Sequence, residues 1–411
     1  MGRNRPKGGF LGGFDQLKIP DAPTVSGSAG ADSIDVVFTD PTNVGSGAIT
    51  SRTATATDSG GTITTATGTG TTVTVTSLSS GTFTVGGFVS NTFGSGTSSA
   101  TVSVAVLFDR AVFMGGYNAS SYNTTIDYIT IASTGNAVNF GDCTACSALT
   151  GGIGSTTRGV FGEDTSYQQD YQYITFASTG NAANFGDLYA INYESGGIYF
   201  PAFFSNSTRG IVSGGYNFAG GGSSKNYIEY ITIASLGNGT DFGNLNTPTY
   251  TNAGFASSTR GITTGGNNYQ GGSNYINDIQ YITIASTGNA TDFGDLTEQK
   301  SYLSGASSST RGISAGGYNG SANYDTIDYI TIASTGNATD FGNLIGTRRQ
   351  TNGASSNVRA VFGGGTGSRG THEDEIDYIT IASTGDASDF GDLRYGRYSA
   401  GSSSSNHGGL S

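Results

Sequence analysis

Residues Ile327–Leu344 read IDYITIASTGNATDFGNL, and a near-copy of this stretch occurs six times in the chain. A run of Ile, Thr and Tyr leads into an STGN turn, and a second short run closes on Phe-Gly. β-Branched and aromatic residues suit a pleated, half-buried surface, while Gly and Asn supply tight turns. Upstream of each copy stands another apolar run opened by an arginine: Arg110, Arg158, Arg209, Arg260, Arg311 and Arg359. The intervals between them are 48, 51, 51, 51 and 48 residues.

A period near 50 residues with four strand-like runs per unit predicts a β-propeller. The wider composition agrees with strands. Gly accounts for 68 of 411 residues, Pro for 6 and Trp for none, and no amphipathic helix pattern of useful length appears. The reading is all-β.

Three parts follow one another. Residues 1–20 form a Gly-rich arm in which Arg3, Arg5, Lys7 and Lys18 stand against Asp15 alone. With Phe10, Leu11 and Phe14 among glycines, the arm suits a flexible peptide that orders on an acidic, partly apolar groove. It lacks the apolar run of an export signal, Pro6 spoils a myristoylation match, and no segment is long enough to span a membrane. Residues 21–106 alternate strand runs with turns, as in a β-sandwich. Residues 107–411 hold the repeats.

The stretch VTSLSSGTFTVGGFVSNTFG resembles the E-to-G region of a fibronectin type III domain. The resemblance implies a corner at Leu78, with Phe83 in place of the usual Tyr and Phe38 in place of the core Trp. Each later repeat resembles a kelch unit. Its apolar strand ends in a Gly pair (Gly115–Gly116, Gly214–Gly215, Gly265–Gly266, Gly316–Gly317, Gly363–Gly364), where the second unit has Gly162–Glu163. A Tyr-bearing strand follows, then a Phe where kelch units carry Trp. The resemblance implies six blades. The first unit lacks an inner strand and RYSAGSSSSNHGG at the end lacks a blade, so residues near 398–407 are expected to complete the first one. That arrangement leaves no open edge at the seam.

In such a blade, the loops joining the second and third strands and the crossovers between blades share one face. Length variation falls there: the crossover after Leu188 is six residues longer than its counterparts. Those loops are rich in Tyr, Asn, Gly and Ser, a mix that gives rigid contact area and adaptable hydrogen bonds. Tyr216, Tyr227, Tyr269, Tyr275, Tyr318 and Tyr324 are the candidate binding residues, with a host-surface glycan or protein as ligand. Tyr199, Phe200, Phe203 and Phe204 of the long crossover form a candidate partner patch.

Charge and chemistry narrow the function. The net charge is −12, and −15 outside the arm, which argues against broad nucleic-acid binding. Cys143 and Cys146 make a lone CxxC, short of a zinc site. Cys143 also takes the place of Leu188, Leu245, Leu296, Leu344 and Leu393, so both cysteines read as small buried hydrophobes. The repeated DFGD reads as turn-capping, and the six repeat arginines as ties between blades. Copper oxidases of kelch shape need clustered Tyr, His and Cys ligands, and His372 and His407 stand apart. Sialidase-type propellers need a converging Arg triad and a Tyr–Glu pair; Arg348, Arg349, Arg394 and Arg397 lie near the expected face, but no such pair can be read. No catalytic residue, metal ligand or cofactor is assigned.

The DYITIASTGNATDFG repeats resemble those of virion structural proteins of tailed phages of marine bacteria, especially cyanophages. The resemblance implies a virion appendage present in several copies. The arm would dock to other virion proteins, the sandwich would act as spacer, and the repeats would meet the host. Head or tail decoration without receptor binding is the alternative, and a bacterial adhesin or scaffold is a third.

Overall fold

The computed structural model describes residues 18–410, apart from 30–32, 77, 79–80, 107–108, 119–120, 145, 147–150, 163–169, 188–197, 220–221, 271, 273, 369 and 371. The candidate docking residues Arg3, Arg5, Lys7, Phe10, Leu11 and Phe14 lie outside the described residues. The chain is all-β and divides into two compact units, Met1–Leu107 and Phe108–Ser411.

In the first unit, Thr24–Ala29, Ile34–Thr39 and Thr72–Val75 form one antiparallel sheet. Ile63–Gly68, Ser51–Thr57, Gly81–Asn91 and Gly94–Ser95 form a second, with Val102–Val106 also paired to Gly81–Asn91. Burial alternates strictly along Ile34–Thr39 and Ser51–Thr57, as expected where one face meets a core. Ile34, Val36 and Phe38 from one sheet share that core with Ala54, Val85 and Val104 from the other. Leu78 and Phe83 are buried in it, and Phe38 lies so close to Gly87 that a Cβ there would fall 2.6 Å from its ring.

The second unit is built from six four-stranded antiparallel sheets. Sheet two runs Gly152–Gly154, Arg158–Gly162, Asp170–Thr175, Ala183–Asp187. Sheet three runs Ala202–Ser205, Arg209–Ser213, Tyr227–Thr232, Thr240–Asn244. Sheet four runs Ala253–Ala256, Arg260–Asn267, Tyr275–Thr283, Thr291–Asp295. Sheet five runs Ser304–Ser307, Arg311–Ala315, Thr326–Thr331, Thr339–Asn343. Sheet six runs Asn352–Ser355, Arg359–Gly363, Glu375–Thr380, Ser388–Asp392. Sheet one takes its first strand from the other end of the chain. Gly401–Ser404 pairs with Arg110–Met114, which continues to Thr125–Thr130 and Val138–Asp142.

The repeated sentence is written six times because each copy fits its neighbour. In every sheet the third and fourth strands shift register, as at Ile327/Asp328, where Ile327 faces Gly342 and Asp328 faces Asp340. Phe341 is thus the unopposed residue of a bulge, and it is buried with its ring edge-on to Tyr329 at 5.9 Å. The STGN turn of one sheet then sits against the bulge of the sheet before it. Gly336 N–H donates to the Phe293 carbonyl (2.8 Å), and Asn337 Oδ1 accepts from Asp295 N–H (3.1 Å). A Cβ on Gly294 would lie 2.5 Å from the Gly336 oxygen, which is why Gly follows Phe in every copy.

The arginines add a second tie. Arg260 stacks on Tyr281 of its own sheet at 4.6 Å and donates to the Ile332 carbonyl of the next at 3.0 Å. All six arginines do this, Arg359 of sheet six reaching Ile131 of sheet one. Apolar clusters follow the same order. Ile313, Ile327 and Phe341 of sheet five pack with Phe362 and Ile379 of sheet six, and Val361 and Phe390 of sheet six pack with Phe113 and Ile131 of sheet one.

Cys143 and Cys146 are both buried in the cluster shared by sheets one and two. The buried apolar setting expected for Cys143 is present, and the two are joined as a disulfide, a pairing not expected from the sequence.

Candidate functional site

In sheets one, three, five and six a Gly pair follows the second strand, and the chain meets the incoming crossover there. In sheet six that pair is Gly364–Gly365, one residue later than the Gly363–Gly364 expected from sequence, and in sheet four the strand runs on through Gly265–Gly266 to Asn267. The glycines carry it there because both adopt positive φ, 74° and 109° at Gly214 and Gly215. The crossover and the loop then pair: Tyr199 with Tyr216, Tyr250 with Asn267, Ser301 with Tyr318, Arg349 with Thr366, and Tyr398 with Tyr117. Among the described residues, one surface is therefore built jointly from the loops of sheets one, three, four, five and six and the crossovers that meet them.

On sheets three, four and five that surface is aromatic. Tyr216 has ring centroids within 4.7 Å of Phe218, 4.9 Å of Tyr250 and 5.8 Å of Tyr269. Tyr199 packs on Phe218 at 4.6 Å. Phe200 links Tyr250 at 6.2 Å to Tyr302 at 6.1 Å. Tyr275 packs on Tyr318 at 6.1 Å, and the Arg349 guanidinium lies 4.4 Å from the Tyr318 ring centre. The rings are half-buried, and Phe218 is 59% exposed. Burial pushes the Tyr250 phenol well above its usual range, and the neighbouring phenols Tyr302, Tyr216, Tyr275 and Tyr269 push the same way. Burial raises Tyr302, Tyr275 and Tyr216 also. The raised phenols Tyr216, Tyr250, Tyr275 and Tyr302 stay protonated at physiological pH, able to stack and to hydrogen-bond.

Of the candidate binding residues, Tyr216, Tyr269, Tyr275 and Tyr318 come together here. Tyr324 stands beside them, its hydroxyl accepting from Asn319 Nδ2 (2.8 Å) and its ring beneath Lys300 Nζ at 5.8 Å. Tyr227 opens the third strand of sheet three and is half-buried. The four-residue partner patch does not hold together. Tyr199 and Phe200 belong to the aromatic surface, but Phe204 is core, packed with Ile211 and Phe242, and Phe203 lies against Gly151 and Gly162 in the inner strand. Both follow from the strand Ala202–Ser205, whose pairing continues the inner edge of sheet three.

Phe218, Tyr250 and Tyr302 were not singled out from sequence. Tyr302 has a legible signal: it stands six residues after Leu296, where Leu245, Leu344 and Leu393 are followed at the same distance by Thr251, Gln350 and Ser399.

Of the arginines near this face, Arg394 and Arg397 share Asp127 while Arg348 is held by Asp377, so the three form no converging triad. Arg348 is buried against Asp377 at 2.6 Å, and Arg397 is buried against Asp127. Arg394 contacts Asp127 and Asn139. Among the described residues no group of three or more His, Cys, Asp or Glu is placed to hold a metal ion. His407 is buried. Its Nε2 faces the Gly154 carbonyl (2.9 Å) and its Nδ1 accepts from Gly409 N–H (3.2 Å), the neutral tautomer, with burial holding the ring down at a pKa of about 4.

No protein-family model matches the chain, and no curated protein matches it either.

Proposed function

We propose that the chain is a virion structural protein of a tailed phage and works by binding. Residues 1–20 attach it to the particle, 21–106 are a fibronectin type III-like spacer, and 107–411 are a six-bladed kelch-like propeller presented to the host. The propeller reading is supported by six four-stranded sheets that pack in chain order, with the sixth on the first. The spacer reading is supported by the three-stranded and larger sheet around one core. The virion reading rests on the likeness of the repeats to those of marine phage proteins.

The observation that carries a binding role is the aromatic surface spread over three adjacent sheets. Its ligand is a host-surface carbohydrate. Tyr rings stack on the apolar faces of sugars, and the Asn and Ser between them hydrogen-bond hydroxyls. Each net hydrogen bond contributes about 1 kcal/mol, so adhesion depends on many copies per particle, where multivalency adds roughly a hundredfold or more.

Antibodies raised against residues 108–411 test this on intact particles. They are expected to label the virion surface and to block adsorption to host cells. Labelling without any block would replace attachment by decoration, and absence of label would remove the protein from the particle surface altogether.

A further inference from the structure

One residue of each described crossover pairs with the loop it meets: Tyr199, Tyr250, Ser301, Arg349 and Tyr398. Tyrosine or serine fills the position in the other crossovers, so the backbone pairing has no requirement for a charge there. Arg349 is the cation among them. Its guanidinium lies over the Tyr318 ring, 4.4 Å from the centre. Among the described residues its side chain makes no hydrogen bond and has no carboxylate within 4 Å. The neighbouring cations differ. Each repeat arginine donates to a main-chain carbonyl, and Lys300, Arg348, Arg394 and Arg397 each contact an aspartate.

Arg349 is within reach of a ligand. It is half-buried, whereas Arg348 beside it is buried. Arg348 Nε and Nη2 are shut off from solvent, and no Arg349 nitrogen is. A ring can cover one face of a guanidinium while its N–H donors point outward in the plane. Phenols surround this one. Burial raises Tyr275, Tyr302 and Tyr398, and the Arg349 charge opposes it, which places their oxygens within its field. The other titratable groups that act on these three are phenols, not carboxylates. All three stay protonated at physiological pH and so offer O–H donors.

We infer that Arg349 is the subsite for one oxyanion substituent of the bound carbohydrate, a carboxylate, phosphate or sulfate. The inference rests on the carbohydrate reading of the aromatic surface and adds the sign of the charge that the ligand carries. The guanidinium fork matches two oxygens of such a group, and charge-assisted bonds of this kind are roughly twice as strong as neutral ones. Stacking on Tyr318 holds the side chain in place, so less of its freedom is lost on binding. The phenols add neutral donors at the edge of the site. The chain as a whole carries −12, which repels anions at long range. That repulsion is screened beyond about 8 Å in physiological salt, so recognition here is a contact at one point and not a general attraction.

The test is ligand-observed NMR on the full-length chain with methyl glucuronoside, its uncharged methyl ester, glucose 6-phosphate and glucose 6-sulfate. At least one anion is expected to bind about tenfold or more tighter than the ester, and the anion that does so identifies the substituent. Arg349→Gln should abolish that preference with an unchanged thermal midpoint, since uncharged residues fill the position in other crossovers. Arg349→Lys keeps the charge without the fork and should retain part of the preference. If no anion binds tighter than the ester, or if Arg349→Gln keeps the wild-type preference, the inference falls. Equal binding of all four overturns the subsite alone and leaves the carbohydrate reading in place. Binding of none, with adsorption to host cells that survives periodate oxidation of their surface sugars, overturns both.

Discussion

Lys300 and Asp328 are both buried, and their 3.0 Å ion pair occupies a position that other repeats fill differently. Arg348 with Asp377 and Arg397 with Asp127 are charged versions. At the equivalent positions of sheet four stand the neutral Thr249 and Gln280; Thr249 Oγ1 donates to the Gly265 carbonyl, and Gln280 Oε1 accepts from Asn246 and Thr247 N–H. Burying a pair gains little net stability, but removing one member strands the other. Asp328→Ala is therefore expected to cost about 3–5 kcal/mol in urea unfolding, and the transplanted pair Lys300→Thr with Asp328→Gln to stay within about 2 kcal/mol of wild type. A double variant as damaged as the single one would show that the carboxylate has a need of its own. His407 supplies a second residue-scale prediction. Its folded pKa of about 4 lies below the unfolded value of 6.5, so the unfolded chain binds the extra proton first. Stability from this residue is full above pH 6.5 and is lost as pH falls toward 4, by about 3 kcal/mol. Asp109, raised to about 6 by burial, works in the opposite sense, gaining stability as pH falls. Comparing wild type with His407→Gln cancels Asp109. The variant should lack the wild-type loss between pH 6.5 and 4, and parallel curves would contradict the assignment. Neither His407 nor the ion pairs was legible in sequence, because which residues lose their water depends on packing.

At the scale of the element, the turn that seats on the preceding bulge is the joint of the second unit. Gly294→Ala places a methyl 2.5 Å from the Gly336 oxygen at φ 148° and should cost about 2 kcal/mol or more. Gly346→Ala, with nothing within 4 Å, is the control expected to be near neutral. Equal midpoints for the two in thermal unfolding would argue against close approach as the reason for the glycine. The strands themselves were legible, since the Arg, Tyr, Phe and STGN positions recur with one spacing and one spacing implies one geometry. The seam strand was legible for the same reason: the first unit lacked an inner strand and Gly401–Ser404 supplies it. Phe203 and Phe204 were misplaced because aromatic content does not report which way a side chain faces. Their register with Gly254 and Phe255, and with Gly305 and Ala306, marks them as inner-strand positions. The aromatic surface was legible in part. Loop composition pointed to Tyr216, Tyr269, Tyr275 and Tyr318, but Tyr250 and Tyr302 sit in crossovers of ordinary length and only the three-dimensional pairing brings them in.

For the whole molecule, chain ends far apart in sequence are held in one sheet. Truncation after Arg397 removes Gly401–Ser404 and bares the edge of Arg110–Met114. Bare edges pair with other chains, so the truncated protein is expected to lose its cooperative transition or to self-associate in sedimentation runs. A monomer with the wild-type midpoint would show that the seam strand is dispensable. The same arrangement gives the variable loops a rigid base, and with them the surface proposed to meet the host. The most direct measurement is adsorption of the purified full-length chain to host cells, wild type against Tyr216→Ala/Tyr269→Ala/Tyr318→Ala. These rings are half-buried at the surface and outside the core clusters, so the triple variant should keep its thermal midpoint within a few degrees. At about 1 kcal/mol or more for each lost contact, its affinity is expected to fall about a hundredfold. A folded triple variant that adsorbs as tightly as wild type would contradict the account.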